Sequence, residues 1–186
     1  MKESRTEDFD VPKVLVICGS LRKASLTRVL ADMAYDHAKK VADADYLDLA
    51  KANVEWFRGW EEDYGPGTHE TMRRLTRADV LVLGSPVYDG LLSSALKNLF
   101  EHVEYKSLEG KVAGFVIKSG SPISSLQVQG QLVALMNYFR VISNPRAVYA
   151  FDEHFDAQGR LKDREIKSRV ERLVDKTIEM SRPRKQ

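Results

Sequence analysis

The stretch VLVICGSLRKAS, Val14 to Ser25, joins an apolar run to a turn at Gly19 and then to Ser20, Arg22, Lys23 and Ser25. A short apolar run rich in β-branched residues reads as a strand covered on both faces. After it, Val29, Leu30, Met33, Ala34, Ala38 and Val41 recur at helical spacing. A buried strand that feeds a helix through such a loop leaves free backbone N–H groups, and the positive end of a helix dipole, at the strand's carboxyl end. That arrangement stabilises an anion.

The same unit repeats outward along the chain. ADYLDL (Ala44–Leu49) is a weaker strand with Tyr46, Leu47 and Leu49, and a helix carrying Met72 and Leu75 leads to the buried run DVLVLGSP (Asp79–Pro86). Leu92, Ala95, Leu96, Leu99, Phe100 and Val103 form an apolar helical stripe, with Ser93 or Ser94 as N-cap. KVAGFVIKSG (Lys111–Gly120) reads as the fourth strand, LQVQGQLVALMNYF (Leu126–Phe139) as a mostly apolar helix and PRAVYAF (Pro145–Phe151) as the fifth strand. A last helix carries Ile166, Val170, Leu173, Val174 and Ile178, with Asp163 as N-cap.

Five βα units in succession predict an α/β three-layer sandwich. Its parallel sheet has helices on both faces, because each right-handed crossover must cover one of them. In the flavodoxin-like order 2-1-3-4-5, ligands bind where the strand order reverses, between the first and third strands. The organisation expected is a flexible arm over residues 1–10, a single domain over 11–180 and a flexible tail over 181–186.

Bulk composition narrows the function classes. The net charge of +2, from 29 basic and 27 acidic residues, gives no global field for nucleic acid. The single cysteine, Cys18, excludes an internal disulfide and a CxxC pair, and its place in an apolar run reads as packing. The N-terminus MKESRTEDFDVP lacks an apolar signal region, and no apolar run reaches the roughly 18 residues of a membrane span. A cytoplasmic protein is expected. The four histidines are scattered without ligand spacing, so no metal site is expected, and no Ser–His–Asp grouping suggests hydrolysis.

In the first loop, Ser20, Ser25 and Thr27 offer hydroxyl donors, and Arg22 offers a fork for two phosphate oxygens. With Gly19 as its one glycine, the loop matches neither a Walker A sequence nor GxGxxG, which favours a monophosphate. On its own it reads equally well as a capped helix beside a solvated arginine. In the loop after the third strand, Pro86 stiffens the exit, Tyr88 offers a flat apolar body and Gly90 permits close backbone approach. A planar ring would rest there, unless Tyr88 is an ordinary loop aromatic.

Together GSLRKAS and SPVYDGLLSSALKNLFEH resemble the NADPH-dependent FMN reductase family. Its members carry a G-S-x-R-x-x-S-x-N phosphate loop and a P-x-Y-N segment that runs on to L-K-N. The resemblance extends from about Lys13 to Ile178. It implies that Ser20, Arg22, Ser25 and Thr27 hold an FMN phosphate while Pro86, Val87, Tyr88, Asp89 and Gly90 line the isoalloxazine. Thr27 and Asp89 stand where the family has Asn; the first change keeps a donor and the second loses one. The family's third loop is glycine-rich, whereas here it reads SGSPIS, and Ser119 and Gly120 are the residues carried over.

The implied activity is an oxidoreductase that moves a hydride from NADPH or NADH to FMN. Reducing equivalents then pass, in a ping-pong scheme, to a small-molecule acceptor: a flavin, quinone, azo compound or metal oxyanion. A homodimer or homotetramer is implied as well. Two other readings remain open, a flavodoxin-like electron carrier that does not oxidise NAD(P)H and a non-catalytic relative that has lost its flavin. WFRGWEEDYGPG (Trp56–Gly67) holds too many aromatics for a free loop and reads as packing or an interface sooner than as a lid.

Overall fold

In the computed structural model, which describes residues 11–182, the chain runs β1 (Lys13–Cys18), α1 (Leu26–Val41), β2 (Asp43–Asp48), α2 (Pro66–Arg77), β3 (Val80–Tyr88), β4 (Leu91–Leu92), α3 (Ser94–Glu101), β5 (Val112–Lys118), α4 (Pro122–Tyr138), β6 (Ile142–Ser143), β7 (Val148–Ala150) and α5 (Arg164–Ser181). The arm expected over residues 1–10, and the tail from 183 onward, lie outside the described residues.

β1 sits inside the sheet because Val14 to Cys18 are all buried. It pairs in parallel with β2 on one side and β3 on the other, and β3 pairs in parallel with β5. Alternation then separates two cores. Leu15, Ile17, Leu81, Leu83, Phe115 and Ile117 pack with Leu96, Leu99 and Leu132, while Val14, Val16, Val80, Val82 and Val116 pack with α1 and α5. This is the expected flavodoxin-like α/β order.

At the fifth position β7 lies within the short strand expected over Pro145–Phe151, and a separate two-residue strand, β6, precedes it. β6 pairs with Val112 and Ala113, β7 pairs with Val116 to Lys118, and residues 144–147 bulge between them. Pro145 has no N–H for the ladder. Asn144 occupies the gap instead, donating its backbone N–H to the Ala113 carbonyl at 2.7 Å and its carboxamide to Thr177 Oγ1 at 3.0 Å.

Helix boundaries follow the caps. Ser25, Ser93, Ser121 and Asp163 each accept from backbone N–H groups of the helix that follows. With Ser121 as cap and Pro122 in its first turn, α4 starts four residues before the expected Leu126. The segment before α2 is held at Phe57, which lies edge-on to Trp60 and His102, and by the Asn98 carboxamide, which accepts from Phe57 N–H and donates to the Glu55 carbonyl, both at 2.8 Å, while Trp56 and Trp60 stay exposed.

Candidate functional site

Where β1 ends, the chain has no room for a side chain. Gly19 donates its N–H to the Gly84 carbonyl at 2.8 Å, and a Cβ on Gly19 would lie 2.5 Å from Leu96 and 2.8 Å from that carbonyl. Two neighbouring strands are thereby drawn together at their carboxyl ends, and the loops they launch stand side by side. With the loop after β5 they bound a cavity of about 280 Å³ lined by Ser20, Arg22, Ala24, Ser25, Leu26, Thr27, Pro86, Val87, Tyr88, Lys118, Ser119, Gly120 and Asp152.

The first-loop residues Ser20, Arg22, Ser25 and Thr27 line the cavity together with Leu26, the first residue of α1. Ser20 is 1% exposed and its Oγ finds no hydrogen-bond partner among the described residues. A buried hydroxyl left unpaired costs free energy that an anion would recover. Ser25 caps α1, accepting from Arg28 N–H at 3.2 Å while its own hydroxyl hydrogen stays available. Thr27 is buried and Arg22 is exposed at the rim. These residues fit a phosphate: a helix N-terminus, an unsatisfied hydroxyl and a fork-shaped cation share one wall.

The second loop is a hairpin, which spacing did not reveal. Tyr88 pairs with Leu91 in antiparallel register, and the two residues between them, Asp89 and Gly90, have φ of 52° and 76°. Positive φ at both central positions is the signature of a type I′ turn, for which Asp-Gly is a favoured sequence. Asp89 and Gly90 thus form the tip of the hairpin, outside the residues that line the cavity, while Pro86, Val87 and Tyr88 form its wall. Gln131 of α4 fastens the hairpin, donating to the Gly90 carbonyl at 3.1 Å and accepting from Leu92 N–H at 2.9 Å. Leu92, expected in the helical stripe, belongs to this hairpin.

In the third loop, Ser119 supplies a wall and no donors. Its N–H goes to the Ala150 carbonyl at 3.1 Å, and its hydroxyl contacts the Ser121 carbonyl at 2.8 Å and Ser125 Oγ at 2.5 Å. Gly120 faces open space, with no atom within 4 Å of where a Cβ would stand. Lys118 is paired with Asp152 at 2.5 Å.

Sequence reasoning passed over Arg28, although its guanidinium lies against the first loop. It is bidentate to Asp48, with Nε to Oδ2 at 3.0 Å and Nη2 to Oδ1 at 3.2 Å. It also donates to the carbonyls of Arg22 at 2.8 Å, Lys23 at 3.1 Å and Ser20 at 3.1 Å. The bond to Asp48 holds the Arg28 pKa above its usual value. Cys18, beneath the same loop, is fully buried, and burial pushes its thiol pKa up, which leaves it unreactive.

A larger groove of about 600 Å³ lies between residues 144–149 and α5. Its buried polar side chain, Asn144, is already bonded to Thr177. Of these two, the cavity at the strand ends combines a helix N-terminus with a buried hydroxyl unsatisfied among the described residues.

A family model described as NADPH-dependent FMN reductase matches residues 12–156. An NAD(P)H-dependent FAD/FMN reductase of Geobacillus thermodenitrificans is 32% identical over 172 residues, covering 90% of this chain and 92% of that protein. An NADH-dependent FMN reductase of Pseudomonas putida is 27% identical over 176 residues, covering 89% and 90%. Among solved structures, an oxidoreductase of Corynebacterium diphtheriae superposes with a TM-score of 0.77 at 22% identity, covering 92% of this chain and 97% of that one, and shares the fold.

Proposed function

The chain belongs to the NADPH-dependent FMN reductase family, and on that premise we propose that it is an FMN-dependent NAD(P)H oxidoreductase whose flavin occupies the cavity at the ends of β1, β3 and β5. The observation that carries this reading is the buried hydroxyl of Ser20, unpartnered among the described residues, in the cavity that the start of α1 also lines. When bound, FMN supplies the hydride-accepting ring, and the same pocket then serves a second small-molecule acceptor, a flavin, quinone, azo compound or metal oxyanion, in a ping-pong scheme.

In this reading the protein binds and orients. Ser20 and Arg22 hold phosphate oxygens, with the hydroxyls of Ser25 and Thr27 alongside. Pro86, Val87 and the Tyr88 ring, 41% exposed at the rim, support the isoalloxazine. The hairpin tip at Asp89 and Gly90 borders the ring, and the Gly120 backbone offers it a polar edge. No side-chain acid or base is assigned, because the proton-coupled chemistry resides in the cofactor. Use of NAD(P)H and a lone buried thiol support a cytoplasmic setting.

The reading also pairs copies of the chain as a homodimer, or a homotetramer built from it, across α4. On its outer face Ile123, Leu126 and Tyr138 are 73%, 59% and 61% exposed, with Gly130 and Ala134 between them, so the helix is apolar on both sides. A helix apolar all round is normally covered on both.

The decisive experiment is the visible spectrum of the purified protein, loaded with FMN and desalted, before and after anaerobic NADPH or NADH. Retained flavin bands that bleach support the reductase; bands that neither donor bleaches overturn it in favour of an electron carrier. Failure to bind FMN in a titration overturns the cofactor assignment.

A further inference from the structure

Arg28 is a cation beside the anion loop with no donor to spare. A guanidinium has five N–H groups. Here two go to the Asp48 carboxylate and three to the carbonyls of Ser20, Arg22 and Lys23. Asp48, whose side chain is 5% exposed, is itself fixed by accepting from Ala50 N–H at 3.1 Å. The guanidinium is therefore anchored from below, and the loop is wrapped around it.

Peptide planarity converts that contact into a statement about the opposite side of the loop. In a trans peptide the N–H points away from the carbonyl of the same plane, and the described residues contain no cis bond. Drawing the carbonyls of Ser20, Arg22 and Lys23 toward Arg28 turns the N–H groups of Leu21, Lys23 and Ala24 away from it. Those three amides have no hydrogen-bond acceptor among the described residues, and Ala24 lies on the cavity wall. Unpaired N–H groups at successive residues, as at Lys23 and Ala24, make an anion-binding concavity.

We infer that Arg28, anchored by Asp48, is a positioning residue: it gathers the loop carbonyls on one side so that the loop amides are presented to the ligand's phosphate, and it does not touch the phosphate itself. This rests on the flavin reading above and assigns a role to a residue outside the phosphate-contacting set. Charge alone would be supplied equally by lysine. A positioning role would not, because an ammonium donates from a single point and cannot bridge a carboxylate and three separate carbonyls.

The test compares the full chain with Arg28→Lys. Both are titrated with FMN and with riboflavin, which has the same ring and no phosphate, and amide hydrogen exchange over residues 20–25 is followed in the flavin-free protein. The expected result is FMN affinity lower by about tenfold or more, riboflavin affinity unchanged and faster exchange over 20–25. Retained FMN affinity overturns the proposal, as does an equal loss for both flavins or unchanged exchange. Should Arg28→Lys fail to fold, Asp48→Asn, which weakens the anchor and keeps the guanidinium, is held to the same criteria. If the parent protein binds neither flavin, the cofactor reading fails, and the exchange measurement alone decides the clamp.

Discussion

Lys118 Nζ stands 2.5 Å from Asp152 Oδ1, tying the last residue of β5 to the turn after β7 on the wall of the cavity. The lysine side chain is 17% exposed and the aspartate 75%, so the carboxylate offsets much of a cation that would otherwise act on the site. Asp152→Asn should tighten FMN binding by about two- to fivefold, the scale of a partly screened pair, and Lys118→Met should loosen it. Flavin-fluorescence titrations at low and high salt check this, since the differences should shrink as ionic strength rises.

Ser20→Ala should move stability and affinity in opposite directions. Without ligand, removing a buried hydroxyl that has no partner should raise stability by up to about 1 kcal/mol. FMN affinity should fall, because the anion loses a donor. Urea unfolding of the flavin-free protein beside an FMN titration reads both, and a loss of stability together with unchanged affinity would remove Ser20 from the site.

Gly19→Ala should be poorly tolerated. The added methyl group meets Leu96 at 2.5 Å and the Gly84 carbonyl at 2.8 Å, and the carbonyl cannot yield without opening the β1–β3 contact. Overpacking of this kind costs about 1–3 kcal/mol. The thermal midpoint should drop, and flavin binding should weaken with it as the two loops separate.

Acid should destabilise the protein partly through Asp45. Its bonds to Arg74, at 2.7 and 2.8 Å, hold its carboxyl below the usual carboxylate range. The unfolded chain therefore takes up this proton first. The pair's contribution is complete above the unfolded value of about 3.9 and is lost as pH falls through the lower folded value. In Asp45→Asn, urea midpoints measured from pH 5 downward should decline less steeply below about pH 4 than in the parent.

The central strands were legible because burial on both faces leaves continuous apolar runs, as at Val14–Cys18 and Val80–Leu83. Serine and aspartate caps marked where α3 and α5 begin. The short fifth strand lies within the expected Pro145–Phe151 as β7, while the two residues of β6 escaped notice because Pro145 and the bonds of Asn144 cut them off from it. Asp89-Gly90 was available as a hairpin signal, yet pairing over so short a length leaves almost no alternation to detect. The side-by-side placement of the loops after β1 and β3 followed from strand order. The role of Arg28 did not, because it depends on Asp48, 20 residues away and brought near by the pairing of β1 with β2.

The interrupted fifth strand also bears on how the protein behaves when crowded. An unpaired sheet edge is a template on which other chains can add strands and grow fibrils. Here one edge offers only the two residues of β6 and the three of β7, separated by a bulge. The other edge, β2, exposes Asp43 and carries the Asp45–Arg74 ion pair, placing charged side chains where an incoming strand would have to lie. One border is too short and broken to copy and the six-residue one is guarded by charge, so neither invites a further strand.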